Sequence, residues 1–500
     1  MTSVFKNKKV RQILEYYRLP WALSYVTGIA HWDLETYMPP MGAGMRGEAL
    51  AKISSLRQKI FLDKNFVNLI HQSEKEKNLT DQEKGVVRVL MRSLKFYEKL
   101  PPDFVEEFEK LTNTATVIWR TAKEKNDFKL FQKSLSMVFD MNIKMAEYLG
   151  YEDSPYDALL DQYEEGLTSN EVKSFFTEIK DPLKEILNKI ISSKKYFEIH
   201  PLENAKYDKD RLSKLNDGIL KSFWPDFGKN FRLDISAHPF TTSFANTDTR
   251  ITTWYHGSDF ARSVLATVHE FGHALYDLQC DPSLQMTPIQ GGSSLVIHES
   301  QSRFWENFVG RSENFIKKFL PNFESAVGRK ITAEDIYAYF NKVTPGALRV
   351  EADEVTYHFH IMLRFEIEKG LIEGKLKIKD LPEIWNAKMG EYLGIMPKND
   401  SEGVLQDIHW SGGMVGYFPT YSLGTFLGAQ WEQKISQIAN IKSQNLSSNM
   451  RSTEKWLKDH IHKYGSTYTL QDLLVKNKMK FDPVINLDYL QKKYSKIYGF

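Results

Sequence analysis

A chain of 500 residues exceeds the size at which one hydrophobic core usually stops growing, so it calls for one large two-lobed body or two to three domains. Its 66 Lys plus Arg against 64 Asp plus Glu exclude a strong field of either sign, and with it nucleic acid or an acidic membrane surface as the defining partner. A single cysteine, Cys280, excludes an internal disulfide framework and fits a reducing, cytoplasmic setting, where the thiol acts as a small apolar filler.

The leading MTSVFKNKKVRQILEYYR is basic, but no apolar run follows it as in a signal peptide, and no stretch approaches the ~20 uncharged apolar residues of a membrane span. From residue 8 to about 230, apolar residues recur three and four apart, which predicts helices over 10–29, 45–60, 81–100, 102–123, 127–149 and 169–192. Thr168 to Glu171 has the pattern of a capped helix start, and Pro101-Pro102 and Ser154-Pro155 are breaks. The Pro- and Gly-punctuated stretch 31–50 is expected to be an interhelical loop, with His31 and Asp33 in structural roles. Between 231 and 255 the period changes to two. FRLDIS and TDTRITTWY, separated by HPFTTSFAN, predict a short antiparallel hairpin, whose edge can hold an extended peptide through backbone hydrogen bonds.

Helical spacing resumes over 258–279, 295–310, 333–341, 345–369 and 382–390, with Thr344-Pro345 as a start and Gly370 as a stop. Residues 403–424, GVLQDIHWSGGMVGYFPTYSLG, combine five glycines with large aromatics and read as a shaped loop that presents side chains. The remainder from about 435 is Lys-rich, helical and solvated. The fold class is mainly α, with a small antiparallel β hairpin or sheet. No repeat or low-complexity linker interrupts it, which favours one continuous helical body over separable domains.

The chemistry is concentrated in VLATVHEFGHALYDLQ, residues 264–279. At about 100° per residue, His269 and His273 lie about 40° apart on one helix face and can reach one ion, with Glu270 beside them. A catalytic zinc site takes three protein ligands and keeps one position open. Glu299, 26 residues after His273, is a candidate third ligand, with Glu306, His298 and Asp277 as competitors. In such a site the ion acidifies water and polarises a carbonyl, and Glu270 shuttles the proton to the leaving amine. The alternatives are two satisfied histidines on a helix face or a structural ion. His409 and Tyr421 could donate to a developing oxyanion. Arg250 and Arg349 have the planar fork that suits a carboxylate. Arg349, Asp353, Tyr357, His360 and Arg364 follow helical spacing on one polar face, with a plain Arg349–Asp353 pair as the bland alternative.

The ordered set HPF (238–240), DTRIT (248–252), HEFGH (269–273), HESQ (298–301), LRVEAD (348–353) and GVLQDIHW (403–410) resembles the carboxypeptidase Taq family of zinc metallocarboxypeptidases, and the likeness extends over essentially the whole chain. One departure is Leu348, where that motif usually begins with Ile. The resemblance implies His269, His273 and Glu299 as metal ligands and Glu270 as general base. It places Arg349 and Arg250 on the C-terminal carboxylate of a peptide, Tyr421, His409 and Gln406 near the scissile bond, and His238 among the substrate-binding residues. It further implies zinc, replaceable by cobalt, a single domain over 1–500 whose two lobes flank a deep groove, a homodimer, and release of single C-terminal residues with broad specificity. The rivals are a groove-shaped zinc oligo-endopeptidase and a non-catalytic peptide-binding protein.

Overall fold

A computed structural model describes residues 4–203, 205–255, 257–292, 294–437 and 446–500. The first helices are α1 (Lys8–Thr36), α2 (Ala43–Phe61), α3 (Lys64–Glu74), α4 (Asp81–Lys99), α5 (Pro102–Lys125) and α6 (Phe128–Leu149). They are followed by α7 (Pro155–Leu160), α8 (Ser169–Ile191), α9 (Lys209–Phe223), α10 (Phe260–Leu278), α11 (Leu295–Arg303), α12 (Glu313–Val327) and α13 (Ala333–Phe340). The last are α14 (Tyr357–Ile372), α15 (Leu381–Leu393), α16 (Pro419–Ser436), α17 (Leu446–His460), α18 (Leu470–Lys476) and α19 (Val484–Tyr498). The mainly α class is therefore observed, and among the described residues no helix is long and apolar enough to cross a membrane. Part of the expected C-terminal helical stretch, 438–445, lies outside the described residues.

The chain divides into two compact units, each assembled from three separate segments: Met1–Lys95, His200–Phe340 and Trp431–Lys480 in the first, Phe96–Ile199, Asn341–Gln430 and Phe481–Phe500 in the second. The first unit is organised around α10, which is buried along nearly its whole length. Phe223 of α9 and Phe271 of α10 lie 5.0 Å apart, and Phe271 packs edge-on against Trp305 at 4.9 Å. Each such buried ring contributes ~1.5–3 kcal/mol, which fixes α10 against its neighbours.

A three-stranded sheet, β1 (Phe231–Ile235), β2 (Thr241–Ala245) and β3 (Asp248–Thr253), lies beside α10 in the order β1-β3-β2. The expected antiparallel hairpin of FRLDIS with TDTRITTWY is corrected here: β1 and β3 pair in parallel, and the antiparallel partner of β3 is β2, inside the stretch expected to connect them. The two-residue turn Asn246-Thr247 joins β2 to β3, whereas β1 has to run in the same direction as β3 because a whole strand separates them. Ile251 and Thr253 turn towards α10, where the Thr253 hydroxyl donates to Ser263 O. By the alternation of a strand, Arg250 points to the opposite face, towards α1, between the rings of Trp32 and Phe244.

The second unit centres on α14, fourteen of whose sixteen residues are buried, as expected for a helix walled in on all sides. It packs on α6, α7, α8 and α15. Three helix boundaries differ from the sequence reading. The stretch 31–50 is mostly helical, because α1 continues past buried Trp32 to Thr36 before the Pro39-Pro40 break, and α2 begins at Ala43. The helix expected from 345 starts only at Tyr357, because the Asp353 carboxylate accepts from the backbone of Thr344, Val355 and Thr356 and holds a turn there. Tyr421, expected in the Gly-rich loop, stands on the first turn of α16. After Arg303, α11 widens into a π-helix, Phe304–Gly310.

Candidate active site

Two features bring α10 and α11 together. The first is Gly272, the glycine of HEFGH: a Cβ there would lie 2.5 Å from the carbonyl oxygen of Gln301 and 2.6 Å from the Cα of Ser302, so the two helices touch backbone to backbone. The second is His462, fully buried, whose Nδ1 and Nε2 each lie 2.8 Å from a glutamine side-chain oxygen, Gln279 after α10 and Gln301 on α11.

This close approach places Glu299 opposite the two histidines. Glu299 Oε2 is 3.9 Å from His269 Nε2 and 3.6 Å from His273 Nε2, and one ligand atom from each residue lies within 4.8 Å of the others. Ligands about 2.1 Å from a tetrahedral ion stand about 3.4 Å apart, so the two imidazoles and the carboxylate fit a divalent cation. The other oxygen, Oε1, accepts from Arg303 Nε at 2.8 Å, while Oε2, which the Ser302 hydroxyl also approaches at 3.2 Å, faces the imidazoles. Burial raises the Glu299 pKa, but His269 and Arg303 outweigh it and hold the carboxyl at about 2, in the form a cation needs.

The three competitors stand behind the imidazoles rather than among the three converging groups. His269 Nδ1 faces Glu306 Oε2 at 2.9 Å, and Arg303 and Arg311 also contact that carboxylate. His273 Nδ1 lies 2.7 Å from His298 Nδ1, and His298 Nε2 lies 3.8 Å from Asp277 Oδ2. If His273 Nε2 is to bind an ion, its proton is on Nδ1 and is donated to His298 Nδ1, which puts the His298 proton on Nε2, towards Asp277. Burial and the neighbouring His273 push His298 down to about 3, so it stays neutral and able to accept. Replacing Glu306 with Gln should weaken metal binding by about 10- to 100-fold, the usual effect of losing such an orienting partner. Chelator competition measures it, and an unchanged affinity would remove Glu306 from this role.

Glu270 is 7 % exposed, and its Oε2 accepts from the Thr241 hydroxyl at 2.6 Å; the same hydroxyl lies 3.1 Å from the Glu270 carbonyl. Strand β2 therefore fixes the rotamer of the expected base. Of the other expected residues in this unit, Arg250 makes a two-point ion pair with Asp248 at 2.8 and 2.9 Å, and His238 is exposed, with Nδ1 2.9 Å from Pro239 O.

The second unit holds a second cluster. Arg349 Nε donates to Asp407 Oδ1 at 2.9 Å, and its Nη1 donates to the Tyr357 hydroxyl at 3.1 Å. Arg364 donates to the other Asp407 oxygen, from Nε at 2.7 Å. The bland alternative, an Arg349–Asp353 pair, gives way to a partner 58 residues away, and the expected shared helical face is corrected, since Arg349 lies in a 3-10 turn and does not share a helix with Arg364. Burial drives the Asp407 pKa up, yet the two guanidinium groups hold it far below the usual carboxylate range. Gln406 accepts from Arg349 N at 2.8 Å and donates to Ala347 O and Glu402 O, so its amide fastens the Arg349 turn to the loop. His409 Nε2 lies 3.2 Å from the Tyr421 hydroxyl, and the His409 ring packs 4.5 Å from that of Phe418.

Sequence reasoning passed over Thr241, Arg303, Asp407 and His462. Only Arg303 carried a local signal, its i, i+4 spacing from Glu299.

An HExxH helix faced by a carboxylate within reach of both imidazoles fits the class of metal-dependent peptide hydrolases. The chain matches the carboxypeptidase Taq (M32) metallopeptidase family over residues 12–494. It is 45% identical over 479 residues to thermostable carboxypeptidase 1 of Pyrococcus furiosus, covering 95% of this chain and 96% of that one. Against carboxypeptidase 1 of Bacillus subtilis it is 33% identical over 484 residues, again covering 95% and 96%. The solved structure of the Pyrococcus furiosus carboxypeptidase superposes with a TM-score of 0.96 at 44% identity, over 98% of this chain and 100% of that one. The chain belongs to the carboxypeptidase Taq (M32) family, and it is accordingly a metallocarboxypeptidase.

Proposed function

We propose that the enzyme releases single C-terminal residues from peptides with broad side-chain tolerance, using zinc held by His269, His273 and Glu299 and Glu270 as general base. Cobalt would serve in place of zinc, since the two imidazoles and one carboxylate suit either ion. When bound, the ion supplies Lewis-acid polarisation of the scissile carbonyl and acidifies water. Glu270 takes the water proton and passes it to the leaving amine, with its carboxylate aimed by Thr241. His409 and Tyr421 are assigned to the developing oxyanion, and His238 to the substrate. We further read the chain as one cytoplasmic peptidase domain acting as a homodimer, with peptides rather than nucleic acid or membrane as its partners.

The observation that carries the exopeptidase reading is the charge of the Arg349 cluster. Two buried guanidinium groups, Arg349 and Arg364, share the single carboxylate of Asp407, which leaves one positive charge in a desolvated place. His360 adds nothing to it, because burial and the adjacent arginines keep that imidazole neutral. Such a cluster is stabilised by an arriving anion, and a peptide's C-terminal carboxylate is one. Arg250 is already neutralised by Asp248 and is the weaker anchor. Gln406 acts by holding the Arg349 turn.

Arg349→Ala should therefore lower kcat/KM for free-acid peptides by roughly 30-fold to several thousandfold, the equivalent of ~2–5 kcal/mol. Its rate on C-terminally amidated peptides, already low in the parent enzyme, should hardly change. If the ratio of free-acid to amidated rates is the same in the variant as in the parent, the anchor lies elsewhere, and Arg250→Ala is the next substitution to measure. Mass-spectrometric mapping of products from a peptide ladder would then read single-residue release directly.

A further inference from the structure

Glu368 is fully buried on α14, and the chemistry described so far makes no use of it. Its Oε1 accepts from Trp410 Nε1 at 2.7 Å, and its Oε2 accepts from Gly416 N at 2.9 Å and from the Tyr156 hydroxyl at 2.6 Å. Trp410 directly follows His409, and Gly416 lies six residues beyond Trp410, so one carboxylate closes a loop of seven residues from within. The loop is also gripped from outside: a Cβ at Gly413 would lie 2.4 Å from the Phe108 ring, and one at Gly416 2.9 Å from the Leu159 backbone, both glycines having positive φ. On the inner side Met414 N donates to His409 O at 2.9 Å.

We infer that Glu368 is the positioning residue of this loop and sets the orientation of His409 towards Tyr421. The inference rests on the assignment of His409 to the reacting carbonyl. A carboxylate in this place is energetically unfavourable compared with an apolar side chain, and its three donors, all neutral, come from α7 and from both ends of the loop. A methyl or methylene group there could not hold Trp410 and Gly416 at a fixed separation. The groups facing it are Tyr156 and Tyr163 from the α7 region, Trp410 and Gly416 from the loop, and Arg364 one turn back on α14. Burial pushes Glu368 up to about 7 against the pull of its three donors.

The test is a double-mutant cycle on the metal-loaded enzyme with Glu368→Ala, His409→Ala and both together, reading kcat and KM separately. Misplacing a reacting group by about 1 Å lowers rate by about a hundredfold, so Glu368→Ala should reduce kcat by roughly that factor, with KM within about threefold. In the His409→Ala background the same change should reduce kcat by less than about twofold, because two steps in one chain of action do not add. Trp410→Phe, which keeps the ring and removes the donor, should lower kcat in the same non-additive way, and it serves if the alanine variant does not fold. Two penalties that multiply, or a Glu368→Ala enzyme with parental kcat, overturn the inference. Parental kcat in His409→Ala alone overturns the assignment of His409 instead. Glu368→Gln gives an independent readout. The folded pKa lies above the unfolded one, so the Glu368 contribution to stability is present at low pH and lost as pH rises from about 4.5 through about 7. The Gln variant should lack that descending segment in a plot of Tm against pH, and a variant whose profile keeps it would show that Glu368 does not titrate there.

Discussion

Glu270→Gln should lower kcat by roughly 10²- to 10⁴-fold, the range typical of a lost general base, while KM and metal affinity stay within a few-fold of the parent. Three features make this substitution clean. Glu270 is not among the three residues whose ligand atoms converge, so the ion loses no partner. Glutamine has the same shape as glutamate, and its carbonyl oxygen can take over the bond from the Thr241 hydroxyl now made at 2.6 Å, so the rotamer is retained. What disappears is the ability to accept a proton from water and return it to the amine. Measured on a free-acid dipeptide with metal content determined in parallel, a variant within tenfold of parental kcat would require another base. Thr241→Val separates orientation from basicity: it keeps the carboxylate but frees its rotamer, and its kcat should fall between the two.

The helix carrying this base was legible in the sequence because its information is local. His269, Glu270 and His273 are fixed relative to one another by the helical period alone. The proposed third ligand was not legible to the same degree. Glu299, His298, Glu306 and Asp277 are all near in sequence, and the distinction between ligand and orienting partner depends on which side of each imidazole they reach, which is set by the packing of α11 on α10. A distant partner prevailed over the local alternative that spacing offered. Arg349 and Asp353 have the separation of a helical ion pair, yet Asp353 is consumed by three backbone N–H groups and Arg349 turns to Asp407. The sheet illustrates the same limit: two alternating segments suggest a hairpin, and only the intervening strand makes their pairing parallel. In the Gly-rich stretch the glycines were readable, but the carboxylate that closes the loop, Glu368, sits in the run Glu366-Ile367-Glu368-Lys369 near the end of α14, where nothing in the spacing marks it from its charged neighbours.

Gly272→Ala tests the packing on which the metal site depends. The added methyl would meet Gln301 O at 2.5 Å and Ser302 Cα at 2.6 Å, whereas ordinary contact begins at 3.4 Å, so about 0.9 Å must be found (3.4 less 2.5). Both obstacles are backbone, and no side-chain rotation relieves them. The helices must part, and Glu299, two residues before Gln301, moves away from His269 and His273. A metal site tolerates ligand displacements of about 0.2 Å, so metal affinity should fall by at least about a hundredfold. Stability of the metal-free protein should drop by about 1–3 kcal/mol, the usual effect of overpacking. Gly310→Ala is the matched control, because its methyl would meet the ends of Leu265 and Val268 side chains at 3.3 Å, which can give way. Thermal melting with and without added zinc distinguishes the two effects. In Gly272→Ala the baseline Tm should fall and the metal-induced rise should vanish, whereas Gly310→Ala should keep the rise. If Gly272→Ala lowers the baseline and still gains the full rise with zinc, the helices separate without disturbing Glu299, and contact at Gly272 serves stability alone.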